Sequence, residues 1–174
     1  MSGEPLVRTA TEADITAITG IYSYYVHNSA ATFETDPPGA EEMVRHWSEL
    51  TGRGFPYIVA DLDGQVSGYA YASPWRARPA YRYTVEDSVY VHRDFAGRGL
   101  GRLLLSRLIE LCGARGYRQM IAVIGGRGNA ASIRLHETSG FRRVGVLEEV
   151  GFKFGGWIDT VLMQLSLIGT GILE

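Results

Sequence analysis

Three glycines at every second position, Gly97, Gly99 and Gly101, stand between a stretch that alternates and a stretch that repeats with helical period. Upstream, Thr84-Val85-Glu86-Asp87-Ser88-Val89-Tyr90-Val91 is β-branched, aromatic and alternating, which predicts a strand. Downstream, Leu100, Leu103, Leu104, Leu108 and Leu111 recur at helical spacing and predict one apolar face. Glycine has no Cβ, so the chain between these elements can bend tightly and approach a ligand closely. The first N–H groups of a helix lack internal acceptors and carry the positive end of its dipole. Phosphate or pyrophosphate is the natural occupant of such a turn. The alternative is an ordinary strand-to-helix connection. A Walker loop is excluded, because no lysine follows the glycines. A dinucleotide fingerprint is excluded as well, because the spacing is Gly-x-Gly-x-Gly and it follows at least two helical patterns.

Other residues near this turn can do chemistry. Glu86 and Asp87 are adjacent carboxylates on the predicted strand, and strict alternation sends them to opposite faces unless a bulge intervenes. Arg76 and Arg78 are alternate residues on the preceding loop, an arrangement suited to bidentate capture of a carboxylate or phosphinate, or to a solvated charge pair. His27, His46 and His92 have no metal-ligand spacing, and neither an HExxH run nor paired Cys/His is present, so no catalytic metal is expected. The one cysteine, Cys112, falls near the Leu108/Leu111 stripe and is expected as a buried structural thiol.

The elements that must position these groups follow from the rest of the chain. A length of 174 residues suits one domain with a substantial core, expected over about residues 6–166. A formal charge of −2 without a dominant basic patch disfavours nucleic-acid binding. The first residues show no basic-plus-apolar signal and no apolar run nears ~20 residues, so a cytoplasmic, non-membrane protein is expected. Residues 6–10 predict a strand, and Thr11 with Asp14 an N-cap. Ile15, Ile18, Tyr22, Tyr25 and Val26 make a first helical stripe; residues 39–51 predict a second helix with Met43, Trp47 and Leu50 on one side. Strands are predicted over 57–61 and 66–72, joined by an Asp63-Gly64 hairpin turn. The apolar run 120–124 predicts a strand covered on both faces, followed by a loop over 125–128 and a helix from Asn129. Residues 141–146 and 157–165 close a mixed sheet in the order βααβββαβαββ, an α/β single domain.

The turn and the segment Asn129-Ala130-Ala131-Ser132-Ile133-Arg134-Leu135-His136-Glu137-Thr138-Ser139-Gly140-Phe141 together resemble the two signatures of the GCN5-related N-acetyltransferase superfamily. Ala96 departs from that pattern, which usually has Arg or Gln there. A narrower resemblance covers nearly the whole chain, from Val7 to about Leu165. The Pro74-Trp75-Arg76-Ala77-Arg78 block, the Thr84 to Val91 block, Ala31-Thr32-Phe33-Glu34 and residues 151–159 are similar to the phosphinothricin / methionine sulfoximine N-acetyltransferases.

That resemblance implies a single-domain α/β (α+β) acetyltransferase fold, a mixed sheet of about seven strands with about four helices. It implies acetyl-CoA as co-substrate, a small amino-acid analogue as acceptor, and a homodimer. Gly97, Arg98, Gly99, Leu100, Gly101 and Arg102 would hold the pyrophosphate, Asn129 and Ser132 the pantetheine, and the backbone around Val89, Tyr90 and Val91 the thioester carbonyl. Glu86 occupies the general-base position. His136 replaces the tyrosine of many relatives, either as general acid to the departing thiolate or as an N–H donor that packs its helix. Phe33, Arg76, Ala77, Arg78, Tyr81, Tyr83, Glu86, Asp87 and Ser88 would bound the substrate. The strip Phe152/Phe154/Trp157 is expected in the core or at a dimer contact. Two other function classes stay open: acetylation of a protein N-terminus or polyamine, and a non-catalytic coenzyme A-binding module.

Overall fold

The computed structural model of the chain describes residues 3–126 and 129–169. In chain order the elements are β1 (Leu6–Thr9), α1 (Ile15–Asn28), α2 (Ala40–Gly52), β2 (Tyr57–Leu62), β3 (Gln65–Pro74), β4 (Thr84–Val91), α3 (Leu100–Ala114), β5 (Gln119–Gly125), α4 (Ala130–Thr138), β6 (Arg142–Lys153) and β7 (Gly156–Ser166). The strands form one seven-stranded sheet in the order β1-β2-β3-β4-β5-β7-β6. Among the described residues β4 and β5 are the one parallel pair. The order is the one the sequence pattern predicts; Arg127 and Gly128 of the expected loop lie outside the described residues.

Local chemistry fixes the ends of these elements. Thr11 and Asp14 form a capping box ahead of α1. Arg8 of β1 lays its fork on the Asp14 carboxylate at 2.8 Å through both terminal nitrogens. That bond brings the Asp14 carboxyl down to about 2. The β2–β3 hairpin turns on Asp63 and Gly64, whose φ angles of 53° and 84° suit a type I′ turn.

Both faces of the sheet are covered over β2–β4. On one, Leu100, Leu104, Leu105, Leu108 and Cys112 of α3 pack on Ile58, Ala70, Val85, Met120 and Met163. On the other, Ile15, Ile18 and Ile21 of α1 with Met43 and Leu50 of α2 pack on Tyr57, Val59, Tyr69 and Tyr90. The period of two along β2–β4 delivers alternate residues to the two cores. Strand β5 is buried only on its α3 face, through Met120, Ala122 and Ile124, and Val123 is exposed on the other, so the expectation of cover on both faces fails there. Each large apolar side chain so buried contributes about 1.5–3 kcal/mol.

Three further expectations need correction or completion. Leu103 is exposed, and Leu105 and Cys112 take its place on the buried face of α3, because that face follows positions 100, 104, 105, 108 and 112. Strand β6 does not stop at residue 146 but runs on to Lys153, since a register shift between Leu147 and Gly151, with Glu149 at a φ of 54°, absorbs the irregular segment without ending the ladder. Phe152, Phe154 and Trp157 lie on that β6–β7 hairpin at 57–66% exposure, so they are surface and not core.

Candidate active site

Parallel pairing between β4 and β5 ends at Glu86 opposite Ile121, although both strands continue. Beyond that point they diverge, and a cleft of about 450 Å³ opens in the gap. Ser88, Val89, Tyr90 and Val91 line one side; Ala122, Val123, Ile124 and Gly125 line the other. The α1–α2 loop closes one face of the sheet with Ala30, Ala31, Thr32 and Phe33. Gly101, Asn129, Ser132, Leu135 and His136 close the opposite face. The cleft therefore passes through the sheet and joins its two sides.

Backbone alternation says which groups point into the gap. His92 N–H donates to the Ser67 carbonyl of β3 at 2.9 Å. Residues of the same parity, Tyr90 and Ser88, thus spend their main-chain groups on β3, while Val89 and Val91 present theirs to the gap. The Val91 carbonyl takes a hydrogen bond from the Tyr25 hydroxyl at 2.7 Å. The Val89 and Val91 N–H groups are left as donors, which narrows the expected span to its outer two members.

The loop wall is held from a distance. Lys153 Nζ donates to the carbonyls of Ser29 at 2.7 Å and Thr32 at 2.8 Å. The Phe33 ring lies so close to the backbone of β6 that a Cβ on Gly151 would come within 2.9 Å of it, and a Cβ on Gly125 of β5 equally so. These glycines admit the ring because they have no side chain. Tyr25, Lys153, Gly125 and the loop residues 30–32 were not predicted as parts of a site. No sequence signal marked them, because Gly125 falls in the predicted loop and Gly151 between two predicted strands.

Glu86 shares the α1 face of β4 with Ser88 and Tyr90, and lines the cleft half-buried. Among the described residues its carboxylate has neither a hydrogen-bond nor an ion-pair partner. Burial, and then the neighbouring Asp87 charge, push its carboxyl up to about 7. Asp87 faces the other way, as alternation predicts, and meets His136 Nε2 through Oδ2 at 2.9 Å. Burial alone would lower the His136 pKa, but the hydrogen bond and charge of Asp87 outweigh it and the net shift is upward.

The glycine turn follows β4 at the same end of the sheet. Gly97 and Gly99 sit at φ 76° and 81°, left-handed positions that favour glycine. A Cβ on Gly101 would touch Leu135 at 3.3 Å and Val91 at 3.8 Å, so the third glycine lets α3 approach α4 and β4. The first N–H groups of α3, those of Leu100, Gly101 and Arg102, have no acceptor within the helix. Gly101 borders the cleft, whereas Gly97, Arg98, Gly99, Leu100 and Arg102 lie past its walls. Of the expected substrate residues, Phe33, Glu86, Asp87 and Ser88 line the cleft. Arg76, Ala77, Arg78, Tyr81 and Tyr83 are exposed on the β3–β4 loop and do not border it, with Arg76 stacked 5.2 Å over Trp75.

A half-buried carboxylate that has no partner among the described residues, the main-chain groups of Val89 and Val91 turned into the strand gap, and a glycine-opened helix end beyond it form an acyl-transfer arrangement. The model of the acetyltransferase (GNAT) domain matches residues 7–162. The chain belongs to the GNAT acetyltransferase family. It is 50% identical to a phosphinothricin N-acetyltransferase of Alcaligenes faecalis over 92% of this chain and 82% of that one. It is 42% identical to an L-methionine sulfoximine/L-methionine sulfone acetyltransferase of Salmonella typhimurium, over 92% and 94% of the two chains. The crystal structure of a GNAT superfamily phosphinothricin acetyltransferase from Sinorhizobium meliloti, in complex with AcCoA, superposes with a TM-score of 0.91 at 48% identity, covering 93% of this chain and 88% of that one. Among the described residues no helix is long and apolar enough to cross a membrane.

Proposed function

We propose that this acetyltransferase transfers the acetyl group of acetyl-CoA to the α-amine of a small amino acid whose side chain ends in a tetrahedral, oxygen-bearing group, of the phosphinothricin, methionine sulfoximine or methionine sulfone type. The observation that carries the reading is Glu86, a carboxyl held at about 7 beside the strand gap. An α-amine, at about 7.7–8 in peptides and higher in a free amino acid beside its own carboxylate, arrives mostly protonated at neutral pH. A base whose own pKa lies near the working pH is best matched to take that proton. The Val89 and Val91 N–H groups serve the thioester oxygen as it gains charge. Residues 97–102 hold the pyrophosphate, and Asn129 with Ser132 the pantetheine. The donor then enters from the α3/α4 side and the amine from the α1–α2 loop side, meeting in the gap.

Arg76 and Arg78 belong to the same reading as the captors of the substrate's anionic groups. So does a cytoplasmic homodimer that covers the exposed Phe152, Phe154 and Trp157, since exposed apolar patches mark contacts. Light scattering at micromolar concentration is expected to give twice the chain mass of 19.1 kDa; a monomer throughout refutes the dimer. A thiol-release assay tests the activity. Methionine sulfone, methionine sulfoximine and phosphinothricin are expected to release coenzyme A, with glutamine and glutamate poor. Release only with a polyamine or a peptide N-terminus, or with no amine at all, overturns the reading.

A further inference from the structure

His136 has no free ring nitrogen. Nδ1 lies 2.7 Å from the Ser132 carbonyl oxygen, and Nε2 lies 2.9 Å from Oδ2 of Asp87. A carbonyl only accepts, so Nδ1 carries a proton. The Nε2–Oδ2 contact holds a second. As it stands, His136 cannot pass a proton to a departing sulfur without first releasing Asp87. The side chains are 5% and 2% exposed, which suits a buried support better than a proton donor at the cleft.

Asp87 is equally constrained. Its second oxygen, Oδ1, is buried and has no hydrogen-bond partner among the described residues. Such an oxygen costs free energy, so its place in the fold calls for an explanation. The titratable groups that this charge reaches are His136 of α4, Cys112 of α3 and Glu86 of its own strand. Burial first, with Asp87 adding to it, pushes the Cys112 thiol up to about 12, so it stays neutral. His136 and Glu86 are left to respond.

We propose that Asp87 is a positioning residue acting through both of these neighbours. It locks His136 as an imidazolium against Ser132, which ties the helix carrying Asn129 and Ser132 to the base strand. Its charge, one residue from Glu86 on the opposite face, also makes Glu86 the stronger base. The imidazolium lies behind Asp87 and offsets that charge only in part. The inference rests on Glu86 serving as base, and deepens that assignment.

The test pairs a variant with a measurement on the unaltered protein. Asp87→Asn keeps a hydrogen bond to the imidazole and removes the charge. Its acidic limb of kcat/KM for methionine sulfone is expected to move down by ~1 pH unit. A limb that stays in place overturns the proposal, because a purely structural role would lower activity without moving it. In the wild type, nitrogen-15 NMR of the imidazoles is expected to find both His136 nitrogens protonated through neutral pH. A neutral His136 ring that titrates in the ordinary histidine range overturns it too, and decides the matter even if Asp87→Asn does not fold. Should Glu86→Gln keep the limb, the base assignment fails with the tuning half of the proposal, and the imidazole spectrum alone then decides the locking half.

Discussion

Glu86 and Asp87 are neighbours in sequence, both carboxylates, and they have opposite fates. Asp87 is buried against His136 and fully committed to it through one oxygen. Glu86 has no partner among the described residues, and its carboxyl rises to about 7. A third carboxylate, Asp14, receives both arms of Arg8 and falls to about 2. Residue type is nearly constant across the three. What separates them is the supply of partners: Asp14 and Asp87 each meet a nitrogen at hydrogen-bond distance, whereas Glu86 is buried without one and becomes a proton acceptor. The strand's period of two lets these environments sit one residue apart.

The comparison breaks most visibly at Glu86. Glu86→Gln removes the acceptor and little volume, and is expected to lower kcat/KM by about 10²–10⁴-fold. The KM for acetyl-CoA should stay near its wild-type value, because Gln cannot act as base yet fills the same space. Wild-type turnover in that variant would mean that an unpartnered carboxylate here is incidental.

Arg78→Ala probes whether charge on the β3–β4 loop matters to a cleft it does not border. Loss of one charge-assisted partner costs about 1.5–3 kcal/mol, which predicts a roughly 10- to 100-fold fall in kcat/KM for the amino acid. A plain amine lacking the carboxylate should lose much less. Equal losses for both would make the arginines a support for the loop.

Gly101→Val sharpens the contrast on the cofactor side. The new side chain begins 3.3 Å from Leu135 and must displace it or α4. Overpacking of this kind costs about 1–3 kcal/mol of stability, and the shift of α4 should also raise the KM for acetyl-CoA in the variant that folds. An unchanged KM in a folded variant would remove the glycine turn from the cofactor site.

Features set by local pattern were legible in the sequence. The glycine turn, the alternation that parts Glu86 from Asp87, the hairpin at Asp63-Gly64 and the element order all follow from spacing within a few residues. Features made by distant contacts were not. The Asp87–His136 pair spans 49 residues, Tyr25 reaches Val91 across 66, and Lys153 reaches Ser29 across 124. The cleft itself is a divergence of two strands, which no residue pattern announces. Leu103 misled for a related reason: its spacing fits the stripe, but α3 turns a face centred on Leu104 and Leu108 toward the sheet. The arginine block at Arg76 and Arg78 was readable as chemistry, but its placement outside the cleft was not.

The pH dependence of kcat/KM for methionine sulfone, measured in wild type and in Glu86→Gln, tests the central claim most directly. A base works only when deprotonated, so a carboxyl at about 7 means that activity falls tenfold per unit below that pH and levels off above it. The account predicts an acidic limb near pH 7 in the wild type and its disappearance from the residual activity of Glu86→Gln. The same limb at the same pH in both proteins would contradict it.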